Sequence, residues 1–266
     1  SRINERIALL IGAKRAQVQA AVDLLDEGAT VPFIARYRKE ATGGLDDTQL
    51  RNLQEALVYG REMEERRAAV IASVTEQGKM TPKLLAQIGA ADSKQRIEDL
   101  YLPFKPRRRT RAQIAIAAGL APLAEKLLAD PTLTPETEAA AFVSAEKGVA
   151  DVKAALDGAR DILAERFAEN ADMLEMLRSW LWTHAFIVSA AVEDKRNTEE
   201  AAKFRDYFDY SEGINEVASH RALALFRGRQ EGVLTLKMLL TEDEEALPVH
   251  PCQVKIADFL GLTNKG

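Results

Sequence analysis

One cysteine, Cys252, is all the sequence offers, so no intrachain disulfide can form and a packed core must hold the fold. That sparing use of cysteine fits a reducing compartment, and the expected location is cytoplasmic. Glycine and proline are scarce, 15 and 9 residues in 266, too few for a β-sandwich with its regularly spaced turns. Aromatic residues make up 6%, which disfavours a chain built mainly of strands. Long apolar runs are missing too. The longest uncharged stretch, residues 179–192, contains Thr183, His184 and Ser189 and falls short of the roughly 20 residues a bilayer span needs. It reads as a buried core helix, and no membrane partner is expected. The first ten residues carry Arg2, Glu5 and Arg6, with no apolar segment of signal-peptide length.

What is present points to helices. The chain has 43 alanines and 31 leucines, both strong helix formers, within 47% hydrophobic and 29% charged residues. Its length corresponds to about two domains and suffices for a core without metal or disulfide staples. The expected fold class is therefore all-α in the main, multi-helical and in two parts. A turn-rich segment at 130–135 (DPTLTP) suggests domains at 1–130 and 131–266. The net charge of −5 hides an asymmetry: residues 1–111 hold 20 Lys and Arg against 15 Asp and Glu, whereas residues 112–266 hold 16 against 26. Either the first part faces an anionic partner or it packs on the acidic second part.

Along the chain, residues 4–11 and 13–27 read as helices, the second closing at Gly28, and Thr30 caps a third over 32–40. Asp46 with Gln49 forms a capping-box pattern ahead of an amphipathic run to about Gln77. Leu50, Leu53, Leu57, Met63, Val70 and Val74 define its buried stripe; Glu62, Glu64, Glu65, Arg66 and Arg67 should face solvent, and Gly60 marks a candidate kink. Thr81 and Ser93 open two further helices. Prolines in 103–110 (PFKPRRRT) bias that segment to an exposed extended connector. Helices resume near Gln113 and Pro122 and continue over 136–146, 149–170, 172–192, 199–207 and 219–227, the last with Ser219 as cap. Residues 232–240 (GVLTLKMLL) alternate as one short strand whose partner is not evident, and the sequence is expected to be a fragment cut at a domain junction.

No constellation for catalysis emerges, and the chain is not expected to be an enzyme. His184 lies in an apolar helical pattern, where a satisfied core or boundary histidine outweighs a general base lacking an oriented partner. His250 and Cys252 offer two zinc ligands where a structural site needs four. Gly43-Gly44 lacks the lysine of a phosphate loop. No metal or cofactor is expected.

Two basic features remain. Lys105, Arg107, Arg108, Arg109 and Arg111 put five cations in seven residues, able to follow successive phosphates or to dock as a strap on the acidic second part. Arg36, Arg38 and Lys39 lie on the second member of a helix pair around Gly28 that has a helix-turn-helix outline, with Leu24, Leu25, Ile34 and Tyr37 available for its core. Most such pairs merely pack. The residues leave both choices open.

Four blocks carry a resemblance: VPFIARYRKEATGGLDD (31–47), EDLYLPFKPRRRTRA (98–112), GARDILAE (158–165) and SHRALALFRGRQEGVL (219–234). Together they resemble the Tex family of bacterial transcription accessory proteins. One departure is Ala218, where the family usually has proline. The resemblance implies a cytoplasmic, multi-domain, non-enzymatic scaffold related to a eukaryotic elongation factor. It also implies that ribonuclease-H-like, helix-hairpin-helix and OB-fold nucleic-acid-binding domains follow the helical region. The implied function is a helical scaffold of a protein that binds nucleic acid. The alternative is a protein–protein interaction module, contacting RNA polymerase or ribosome components, with the basic strap folded inward.

Overall fold

Side-chain oxygens fix where most helices begin. Thr30, Asp46, Thr81, Ser93, Thr110, Asp151 and Asn170 each accept a backbone N–H of the first turn that has no intrahelical partner. The computed structural model describes residues 2–106 and 109–262, which form two compact units, Ser1–Pro106 and Arg107–Gly266. The turn at 130–135 lies inside the second. The main architecture is all-α.

In the first unit, α1 (Arg2–Ile11), α2 (Arg15–Asp26) and α3 (Val31–Tyr37) pack on the N-terminal half of α4 (Asp47–Glu76). The helices α5 (Pro82–Ala90) and α6 (Lys94–Tyr101) pack elsewhere along it. The Asp46–Gln49 box is formed in both directions, at 2.7 and 3.1 Å, and all six residues of the expected stripe are buried. Helix α4 runs without interruption through Gly60. There the missing Cβ admits Ile3, whose Cγ2 would stand 3.0 Å from it, so the glycine serves close packing rather than a break.

Arg67 corrects the solvated-face expectation. It is only 7% exposed, and its guanidinium donates to the carbonyls of Ile88, Gly89 and Ala91, the last at 3.0 Å. These belong to the final turn of α5 and its cap, where carbonyls lack intrahelical donors. Arg66 is half-buried and holds Glu98 through two hydrogen bonds.

In the second unit α7 (Arg111–Ala117), α8 (Ala121–Ala129) and α9 (Pro135–Ala140) surround α10 (Val152–Ala168). Six of the ten buried residues of this core are alanine, and the approach is close enough to require glycine at 158, where a Cβ would fall 2.4 Å from Leu120 Cδ1 and 3.2 Å from Ala115 Cβ. No single described helix is long and apolar enough to cross a membrane. Helices α7 and α8 together have the composition, but they meet at a 102° bend and bury Ala112, Ala115, Leu123 and Ala124 in this core.

The remainder departs from the sequence reading. The helix expected over 172–192 stops as α11 (Ala171–His184), and Phe186–Ala191 forms β1. Here β-favouring Phe186, Ile187 and Val188 outweigh helical neighbours because β1 is the central strand, antiparallel to both β2 (Asp209–Gly213) and β3 (Leu234–Leu239). Instead of one unpaired strand there are three among the described residues, in order β2-β1-β3. Residues 202–207 form a 3-10 segment rather than an α-helix. One sheet face packs on it and on α12 (Ser219–Gln230), burying Phe204, Leu225 and Leu234. Ser219 is the first residue of α12, not its cap; Ala218 stands there without a side-chain bond. Helix α13 (Pro251–Leu260) packs on α11.

Leu53→Ala should cost about 2–5 kcal/mol in urea unfolding, the range for emptying a fully buried leucine site. Gly158→Ala should also destabilise, by about 1–3 kcal/mol from overpacking, although alanine is the better helix former by about 1 kcal/mol. A Gly158→Ala protein as stable as the parent in that titration would mean Leu120 yields freely.

Candidate nucleic-acid interface

The turn between α2 and α3 is built by Gly28. Its φ of +90° lets Gly28 N–H donate to Leu25 O and Ala29 N–H to Leu24 O, both at 3.0 Å, closing α2 with a left-handed residue that only glycine adopts readily. Thr30 then starts α3 by accepting from Phe33 N–H. Val31 and Ile34 point into the core, whereas Phe33, Arg36, Tyr37, Arg38 and Lys39 are exposed. Tyr37, expected in the core of this pair, is 61% exposed. With seven residues, α3 is about 10 Å long and stops short of the expected residue 40: Arg36 lies in its last turn, Arg38 is its C-cap and Lys39 belongs to the turn that follows.

The outer face of α3 is ordered by its rings. Phe33 and Tyr37, one turn apart, have centroids 5.3 Å apart; the Arg38 guanidinium lies 5.3 Å from the Phe33 centroid and that of Arg36 lies 6.0 Å from the Tyr37 centroid. Among the described residues, no carboxylate pairs with Arg36, Arg38 or Lys39. The sequence pattern points to the cations; the i, i+4 spacing of Phe33 and Tyr37 beside Arg36 and Arg38 is the signal for the aromatics.

The second basic feature divides. Lys105 is exposed in the first unit, close enough to Glu98 for its charge to act on it. Arg107 and Arg108 lie outside the described residues. Arg109 is exposed, and Arg111 is the exposed first residue of α7, not part of an extended connector, because Thr110 and Gln113 form a capping box around it. Four of the five excess cations of residues 1–111 are Arg107, Arg108, Arg109 and Arg111, so the first unit itself is nearly neutral. Lys105 and the α3 cations do not converge. Gln77, at the far end of α4, donates to Phe104 O, while α3 shares the core of Leu50, Leu53 and Leu57, about 30–40 Å back along a helix rising 1.5 Å per residue.

The histidines find local roles. His184, expected at the core or its boundary, is exposed at the C-terminal end of α11, where its Nδ1 lies 2.9 Å from Trp180 O. His250 caps α13, its Nδ1 accepting from Cys252 N–H at 3.1 Å and its Nε2 bonded to Glu244. Burial raises the Cys252 thiol pKa. Among the described residues no group of three His, Cys, Asp or Glu side chains could hold a metal ion.

Residues 1–75 match the Tex-like protein N-terminal domain and residues 130–266 the Tex central region. The chain belongs to the Tex family. It is 57% identical over 264 residues to Protein tex of Bordetella pertussis, covering 99% of this chain and 33% of that protein. It is 55% identical over 234 residues to the transcriptional accessory protein Tex of Neisseria gonorrhoeae, covering 88% and 30%. A human protein named S1 RNA-binding domain-containing protein 1 shares 30% identity over 227 residues, covering 83% of this chain and 22% of its own length. This Tex-family chain thus spans about a third of the length of its bacterial relatives.

Glu98 ties the two helices beside Lys105. Its pKa is lowered chiefly by the hydrogen bonds from Arg66, with the charges of Arg66 and Lys105 adding to them against partial burial. A carboxylate with a lowered folded-state pKa stabilises fully above its unfolded value, and that contribution fades as pH falls through the folded value. Glu98→Gln should therefore lower stability at neutral pH and flatten the loss on acidification. Urea midpoints at about pH 7 and pH 3 check this; a difference between parent and variant that is equal at both would exclude the linkage.

Proposed function

We propose that this chain is a non-enzymatic, cytoplasmic helical scaffold of a Tex-like transcription accessory protein, and that it contacts nucleic acid weakly and without sequence preference. The contacts are made by Arg36, Arg38 and Lys39 and by Lys105, Arg107, Arg108, Arg109 and Arg111. One observation carries the reading: among the described residues, Arg36, Arg38, Lys39, Arg109 and Arg111 are exposed and have no carboxylate partner. Unpaired surface cations are the sequence-independent part of nucleic-acid affinity. The printed name of the human relative, with its S1 RNA-binding domain, supports an association with RNA somewhere in such proteins. The stronger contacts would belong to the rest of the longer chain.

A second reading has its own support. Trp182, Phe226 and Met238 are more than half exposed around an apolar groove of about 480 Å³ that Ile187, Val217 and Leu236 also line. Large apolar groups exposed together mark interaction surfaces. A protein–protein module contacting transcription or translation machinery would use it.

Binding to labelled duplex DNA should show a Kd near 10⁻⁴–10⁻⁶ M at physiological salt, at about the non-specific level. Replacing Arg109 or Arg111 by alanine should lower the salt slope by about 0.9. Arg109→Ala/Arg111→Ala with an unchanged melting temperature and a shallower slope supports this. Unchanged binding with a large fall in melting temperature assigns these arginines to the scaffold instead. Incubation with Mg²⁺ or Mn²⁺ should yield no cleavage; turnover abolished by changing one acidic residue would overturn the non-enzymatic reading.

A further inference from the structure

We infer that the outer face of α3 is a stacking site for unpaired nucleobases, so that this helix engages single-stranded rather than duplex nucleic acid. The inference rests on the nucleic-acid reading above and adds the form of the ligand and, at this helix alone, a preference among bases. Phe33 and Tyr37 are 40% and 61% exposed, while their helix buries Val31 and Ile34. The core therefore does not need the two rings. Their i, i+4 spacing brings them to 5.3 Å and leaves both at the surface, each with an arginine laid beside it.

Rings and guanidinium planes are the groups on which splayed bases stack, and the adjoining cations meet the backbone between those bases. In a duplex the base faces are already covered by their neighbours, and only edges and phosphates can be reached. A helix about 10 Å long whose largest exposed apolar groups are aromatic is thus poorly matched to a groove and well matched to loose bases.

A shallow recess of about 470 Å³ continues the face between the Gly28 turn, Phe33 and Arg38. Glu27 is among its lining residues, and a carboxylate at this position repels phosphate and acidic side chains. It can accept from an exocyclic amino group, which cytosine, adenine and guanine carry and uracil lacks. Base inward and phosphate outward, toward Arg36 and Lys39, is the arrangement this charge distribution favours.

The test compares the 266-residue chain with Phe33→Ala, Tyr37→Ala, Tyr37→Phe and the Arg36/Arg38/Lys39 triple alanine variant. Each is titrated by fluorescence anisotropy against a short labelled cytidine oligomer, a uridine oligomer and a duplex of equal length. Loss of either ring should weaken cytidine-oligomer binding between about fivefold and a hundredfold and leave the duplex almost unaffected. Tyr37→Phe should restore the parent affinity, cytidine should be preferred to uridine, and Glu27→Gln should narrow that preference. If ring loss changes nothing while the triple variant weakens single strand and duplex alike, stacking fails and the electrostatic reading stands. No binding of any nucleic acid at low salt defeats both. Ring-dependent binding of a glutamate-rich peptide in place of the oligomers would assign the face to an acidic protein and overturn the inference. All variants are at exposed positions, and matched melting curves confirm that binding, not folding, is read.

Discussion

A 30-residue helix with apolar residues repeating along one stripe cannot stand by itself in water, and the first unit is the solution to that constraint. Leu50, Leu53 and Leu57 take the short helices α1 to α3, whose own buried residues would be too few for independent cores. Met63, Val70 and Val74 occupy the other half of the stripe. Arg67 sits among these as the one buried charge of the helix. Its place follows from the C-terminal end of α5, where Ile88 and Ala91 are buried, since an arginine fork can bond several carbonyls that no apolar residue could. Everything displayed outward, including the α3 face, is positioned by this inward demand.

The second unit is constrained by closeness instead. Its helical core is largely alanine, so backbones approach and Gly158 becomes obligatory where α10 meets Leu120 and Ala115. Gly228 does the same beneath the sheet, where a Cβ would fall 2.5 Å from Leu234 Cδ1 and 3.2 Å from Phe204. Both glycines lie in blocks that resemble the family, and packing is a sufficient reason for each. The Glu212 carboxylate of β2 accepts from Tyr210 on its own strand and from Arg221 of α12, and these bonds lower its pKa. These groups are engaged with one another. The chemistry left for a partner lies at exposed positions: rings and arginines on α3, Arg109 and Arg111 around the start of α7, and the apolar groove beside Trp182.

The fold class was legible because capping and periodicity are local. Thr30, Asp46, Thr81 and Ser93 bond to residues three positions away, and an amphipathic stripe shows on a single helix. The strand at 234–239 was legible in its alternation, but its partner β1 was hidden in a stretch that also satisfies helical rules. Strand pairing links residues about 50 apart, such as Phe186 with Leu239, and no local pattern encodes it. Arg67 was misplaced for the same reason: nothing near it in sequence reveals that three carbonyls of another helix need a donor.

The candidate site divides along that line. Sequence alone determined which residues carry charge, that Gly28 ends α2, and that the four blocks resemble the Tex family. Only the tertiary structure decided that Phe33 and Tyr37 face outward, that Arg111 starts a helix, and that Lys105 and the α3 cations lie far apart along α4. Side-chain identity is local, whereas exposure is the residue of what every other element has already covered.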